Sequence, residues 1–96
     1  MKQQDKLPKF MWEKNIFKSC LDKWGADSQI NMMQEEAAEL IHSLNKFRRG
    51  RIGKDEVIKE LADVQVVLEQ MLLIFGETEF QLQYDKNLKN LEERLK

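Results

Sequence analysis

The chain has 96 residues, of which 42% are hydrophobic and 34% charged, enough for one domain with a modest core and little margin as a monomer. A net charge of −1 and a pI near 5.9 supply no overall basic field for nucleic acid, which leaves only local patches for such a role. The lone cysteine, Cys20, rules out an intramolecular disulfide and a multi-cysteine zinc site, and its place on an apolar helix face reads as core.

Four helical segments follow in order, with no strand-like alternation, repeat or low-complexity linker, so the expected class is all-α in a single domain over residues 1–96. The first runs from about Pro8, suited to a first-turn position, to Trp24, with Phe10, Phe17, Cys20, Leu21 and Trp24 at helical spacing and Gly25 to close it. Asp27 or Ser28 can cap the second. Its stripe of Ile30, Met33, Ala37, Leu40, Ile41, Leu44 and Phe47 is the clearest amphipathic signal in the chain, and Gly50 ends it.

The third helix starts near Asp55 and carries Val57, Ile58, Leu61, Val64, Leu68, Met71, Leu72 and Phe75 on one face. Val66, Val67, Leu73 and Ile74 make its second half apolar almost all round, which in so small a protein implies burial against another subunit. Beyond Gly76, Thr78 with Gln81 forms a candidate capping box, and Tyr84, Leu88, Leu91 and Leu95 give the last helix a narrow stripe for packing on a bundle. The first residues lack the basic-then-apolar pattern of a signal peptide and no apolar run reaches membrane-spanning length, so a cytoplasmic location is expected.

Chemistry concentrates between Glu35 and Asp63. Two acidic pairs, Glu36/Glu39 and Glu60/Asp63, are each spaced i,i+3, which points both members of a pair into the same neighbouring space. If the second and third helices run antiparallel across the Gly50–Gly53 turn, the pairs converge on a four-carboxylate cluster. Such charges require cations, and an all-oxygen site suits Mg²⁺ or Mn²⁺. At 100° per residue the stripe of the second helix centres near Leu44, about 80° from Glu36 and about 140° from Glu39. Glu60 and Asp63 likewise fall among Val64, Val67 and Ile74 instead of opposite them. The competing reading is that E-x-x-E and E-x-x-D are ordinary surface helix, which fits most single occurrences.

Here the pairs occur together on consecutive helices, with 21 positions from Glu39 to Glu60. Glu35-Glu36-Ala37-Ala38-Glu39 followed by Glu60-Leu61-Ala62-Asp63 resembles the signature of the MazG-like nucleotide pyrophosphohydrolases, of the all-α NTP pyrophosphatase superfamily. Dimeric dUTPases and phosphoribosyl-ATP pyrophosphatase are relatives within that superfamily. The likeness extends from Lys23-Trp24-Gly25 and Gln29 through Lys46-Phe47-Arg48-Arg49-Gly50 to Glu69-Gln70 and the Leu-rich tail, three quarters of the chain, and is nearest to the short, phage-type single-domain members.

The resemblance implies a four-helix MazG-like bundle completed by oligomerisation, as a tetramer built from dimers or a dimer. It implies that Glu36, Glu39, Glu60 and Asp63 bind Mg²⁺, with Mn²⁺ as a possible substitute, and that the bound triphosphate of a nucleotide is hydrolysed between its α and β phosphates to the monophosphate and pyrophosphate. A carboxylate would take the proton from the attacking water. Glu35 faces away from the stripe and either assists a metal or water or is simply solvated.

Lys46 lies seven residues after Glu39 on the same face, about 10 Å along the helix, where its side chain can reach a triphosphate. The alternative is that Lys46, Arg48, Arg49, Arg51 and Lys54 form a solvated basic turn that complements the helix dipole, the favoured reading for all but Lys46. Lys86 matches a lysine that relatives often carry where the final helix approaches the nucleotide, possible across a subunit boundary. Trp24 and Gln29 precede the acidic helix, where related enzymes often shape the base pocket. Trp12 is a further aromatic, but packing is its favoured role.

Two rival functions compete. Glu39-Leu40-Ile41-His42 is also an E-x-x-H, the ligand pair of ferritin-like di-iron bundles. His42 is the only histidine, so two copies would need two subunits, and it projects about 160° from the stripe centre toward solvent. The other rival is a non-catalytic helical oligomerisation or regulatory module whose acids only solvate it.

Overall fold

The computed structural model describes residues 8–96, so the first part of the stretch read for a leader lies outside the described residues. All regular structure described is helical: α1 Lys9–Trp24, α2 Ala26–Arg48, α3 Lys54–Phe75 and α4 Glu77–Arg94. None of these helices is long and apolar enough to cross a membrane.

Single glycines set the joints. Gly25 is both the end of α1 and the cap of α2; its N–H donates to Leu21 O and its carbonyl accepts from Gln29 N. Gly76 does the same between α3 and α4, donating to Leu72 O and accepting from Phe80 N. Because one residue turns the chain, α2 and α4 start directly after their glycines, and the side-chain caps expected at Asp27 or Ser28 and at Thr78 are not used. Asp27 sits instead in the first turn of α2, where its charge complements the dipole, and Gln81 donates to Asp85 within α4. Gly76 has φ 127°, a backbone conformation that side-chain-bearing residues rarely adopt, so the backbone favours glycine there, whereas the nearby Glu79 carboxylate is a flexible group that could move aside.

The α2–α3 turn is closed by a Schellman motif. Gly50, at φ 72°, donates to Phe47 O at 2.9 Å, and Arg51 N reaches back to Lys46 O at 3.0 Å. From there α3 returns antiparallel along α2, so that Gln29 near the start of one helix bonds Gln70 near the end of the other. α1 packs across this hairpin, and α4 packs on α3 near its C-terminal end, where Leu68, Met71, Leu72 and Phe75 form a groove with Phe80 and Gln83. An ion pair of 2.8 Å between Lys14 and Glu77 ties the first turn of α4 to α1.

The core is thin. Among the described residues, Val67 and Met71 are the buried apolar side chains, joined by the buried amides of Gln29 and Gln70. Cys20 is half-buried and free. The buried face of α2 centres nearer Leu40 than the expected Leu44: Glu36, Leu40 and Ser43 are half-buried while Ile41 is 63% exposed. Packing against α3 therefore rotates α2 by about 40° from the orientation that its apolar residues alone suggest, and the rotation brings Glu36 inward. The stripe of α4 stays open, with Tyr84, Leu88, Leu91 and Leu95 all exposed. A Cα radius of gyration of 16.3 Å is correspondingly larger than the roughly 12 Å of a compact domain of this length.

Candidate metal centre

The carboxylates meet where α2 and α3 run side by side. Gln29 to Glu36 is seven residues forward on α2, and Gln70 to Asp63 is seven residues back on α3, so the buried amide pair and the acids share one antiparallel register. Each step is two helical turns, about 10 Å. The amide of Gln29 donates to Gln70 Oε1 at 2.6 Å, and Gln70 Nε2 donates to Val66 O at 3.3 Å. This satisfies polar groups that would be costly to bury alone.

One oxygen from each of Glu36, Glu60 and Asp63 can be chosen so that all three lie within 4.8 Å of one another. All three residues are half-buried, and Glu36 Oε2 and Glu60 Oε2 are shielded from solvent with no hydrogen-bond partner. Burial first, then the charges of Glu39, Asp63 and Glu60, raise the pKa of Glu36 above the ordinary glutamate range, against a smaller lowering by Lys59. Glu39 is exposed and stands outside the close trio, yet its charge is the next cause after burial in the Glu36 shift.

Lys59, which the spacing argument did not single out, supplies the local cation. Its Nζ lies 2.8 Å from Asp63 Oδ2 and 3.7 Å from Glu60 Oε1. The hydrogen bond and charge of Asp63, followed by the charge of Glu60, raise the lysine pKa, with a smaller contribution from Glu36. The signal was present as a lysine four residues before Asp63, but one such i,i+4 pair is common on helices.

The trio suits a hard divalent cation. Its donors are all carboxylate oxygens, they come from two helices, and two of the oxygens are orphaned inside the protein. The remaining sequence candidates are more dispersed. Glu35 and His42 are exposed. Lys46 is half-buried at the C-terminal end of α2, and Lys86 is exposed on α4 in a shallow depression with Asp85 and Lys89. Trp24 is 53% exposed at the end of α1, with Lys23 Nζ 5.6 Å from its ring centroid. Gln29 is buried and its amide is engaged by Gln70, while Trp12 has its indole N–H buried without a partner.

Comparison with protein-family models, with curated proteins and with solved structures gives no match to this chain. The fold and the site thus define a class by their own features, a helical protein with a carboxylate trio between two antiparallel helices.

Proposed function

We propose that this protein is a Mg²⁺-dependent nucleoside triphosphate pyrophosphohydrolase, cleaving a (d)NTP between its α and β phosphates to (d)NMP and pyrophosphate. The observation that carries the reading is the convergence of Glu36, Glu60 and Asp63 with two buried, unpartnered oxygens, on the residues that resemble the MazG-like signature.

Glu36, Glu60 and Asp63 would hold the cation, with Glu39 one turn away on the exposed side as a further ligand or as the group that takes a proton from water. Mg²⁺, or Mn²⁺ in its place, would supply charge neutralisation for the phosphates and would polarise a water. Lys46 and Lys86 would take phosphate oxygens, Glu35 would assist from the solvent side, and Trp24 would offer a face for the base. Gln29 would act by holding the α1–α2 joint that carries Trp24, since its amide is already committed to Gln70.

Lys86 sits on a helix that packs near the C-terminal end of α3, whereas the acids lie in the middle of α2 and the first half of α3. A partner subunit would bring it to the phosphates. The open stripe of α4 and the exposed Ile41, Ile58, Leu61 and Val66 favour such assembly, as a homotetramer of two dimers or as a homodimer. The setting would be the cytoplasm, with nucleotide-pool housekeeping as the role and neither nucleic acid nor membrane as partner.

Against the di-iron alternative, His42 is exposed and outside the trio. Against a silent helical module, a solvating face would not bury unpartnered carboxylate oxygens. The test is pyrophosphate release from a panel of nucleoside triphosphates with Mg²⁺ or with chelator. Magnesium-dependent release of pyrophosphate and monophosphate is expected; release of neither from any substrate would overturn the proposal.

A further inference from the structure

We propose that Lys59 is a built-in counter-ion of the carboxylate trio, held among the acids in the cation-free protein and displaced when the divalent cation binds. The inference rests on the metal-site reading above and concerns how that site exchanges its charge.

The Lys59 ammonium spans two members of the trio, at 2.8 Å from Asp63 Oδ2 and 3.7 Å from Glu60 Oε1. It leaves Glu60 Oε2 and Glu36 Oε2 unpartnered, so one monovalent group answers part of the demand of three acids. A divalent cation that draws on the same oxygens competes for what Lys59 holds. Two features make the lysine easy to release. Its side chain is 70% exposed on a flexible stem, so it can swing into water without breaking a packed contact. The pair also runs from cation to anion along the helix, the weaker of the two i,i+4 orientations.

The exchange has a direct consequence for affinity. In the wild type each binding event must break the Lys59 contacts, whereas a variant without the ammonium binds to free oxygens. Lys59→Met should therefore bind Mg²⁺ or Mn²⁺ about two- to fivefold more tightly, the factor that corresponds to an exposed ion pair. General charge removal is a separate effect. Lys54→Met, which deletes the same charge about 7.5 Å earlier along α3, is its control.

The experiment titrates full-length wild type, Lys59→Met, Lys59→Gln and Lys54→Met with MnCl₂ and MgCl₂ by calorimetry, and follows the Lys59 ammonium of the wild type by ¹⁵N NMR. The expected result is tighter binding in both Lys59 variants, little change in Lys54→Met, and loss of the restrained Lys59 ammonium signal at saturating Mg²⁺. Equal or weaker binding in the Lys59 variants, equal tightening in Lys54→Met, or an ammonium signal that persists at saturation overturns the exchange while leaving the metal site in place. No binding by any of the four proteins overturns the metal-site reading and the exchange together.

Discussion

The side-chain amide of Gln29 donates to Gln70 Oε1 across 2.6 Å, and this buried bond lies in the same helix register that sets Glu36 against Asp63 two turns away. An apolar contact at that position would tolerate sliding of α3 along α2. A directional bond between two buried amides does not, because each step out of register strands a donor and an acceptor.

Breaking that bond should therefore affect both stability and the site. Gln70→Leu leaves the buried Gln29 amide without its partner and should cost about 1–3 kcal/mol in denaturant unfolding. The double variant Gln29→Leu/Gln70→Leu should recover much of that stability, yet bind Mn²⁺ more weakly than wild type. Metal affinity equal to wild type in the double variant would show that the amide pair does not hold the acids in register.

Replacing one acid should separate function from stability by sign. Glu60→Gln removes a charge from a repelling group, so the protein in chelator should be as stable as wild type or more so. Saturating Mg²⁺ should stabilise the wild type, by about 2.7 kcal/mol at a hundredfold excess over Kd, and the variant much less. Pyrophosphate release should be lost. Thermal midpoints with and without Mg²⁺ check the first two effects, and retained hydrolysis in a folded variant would remove Glu60 from the ligand set.

The raised pKa of Glu36 carries a pH dependence whose direction is fixed. The folded state holds this proton more tightly than the unfolded chain, so the stabilising contribution is complete below the ordinary glutamate pKa, about 4.5. It is lost as pH rises through the higher folded value. In chelator, wild type should lose stability over that interval relative to Glu36→Gln, which has no proton to release there. Parallel pH profiles for the two proteins would count against the burial and charge crowding that raise the Glu36 pKa.

Assembly should depend on the open face of α4. Leu88 and Leu91 are 47% and 46% exposed in the single chain, and replacing both by Glu should shift sedimentation from oligomer to monomer while helicity by circular dichroism stays high. A wild type that sediments as a monomer at micromolar concentration would remove the partner subunit from the account of Lys86.

Helix number and the acids worth watching were legible in the residues alone. Period-3.6 stripes mark four helices, Gly25, Gly50 and Gly76 mark their ends, and the i,i+3 pairs pick out Glu36, Glu39, Glu60 and Asp63, because these are local properties that need no partner; the packing brings three of the four together and leaves Glu39 exposed outside the trio. Other features depended on what each helix packs against. An apolar arc tells which side of α2 can be buried, but α3 chose the part of it that is, turning Leu40 and Glu36 inward and leaving Ile41 in solvent. The bond between Gln29 and Gln70 joins positions 41 residues apart, and neither glutamine carries a local mark of the other. Lys59 reads as one more charged residue until α2 brings Glu36 beside Glu60 and Asp63, when the same side chain becomes the cation of a crowded acidic group. Periodicity is written into consecutive residues, whereas register and rotation come from the free energy of pairing two helices, and that pairing settled which of the acids meet.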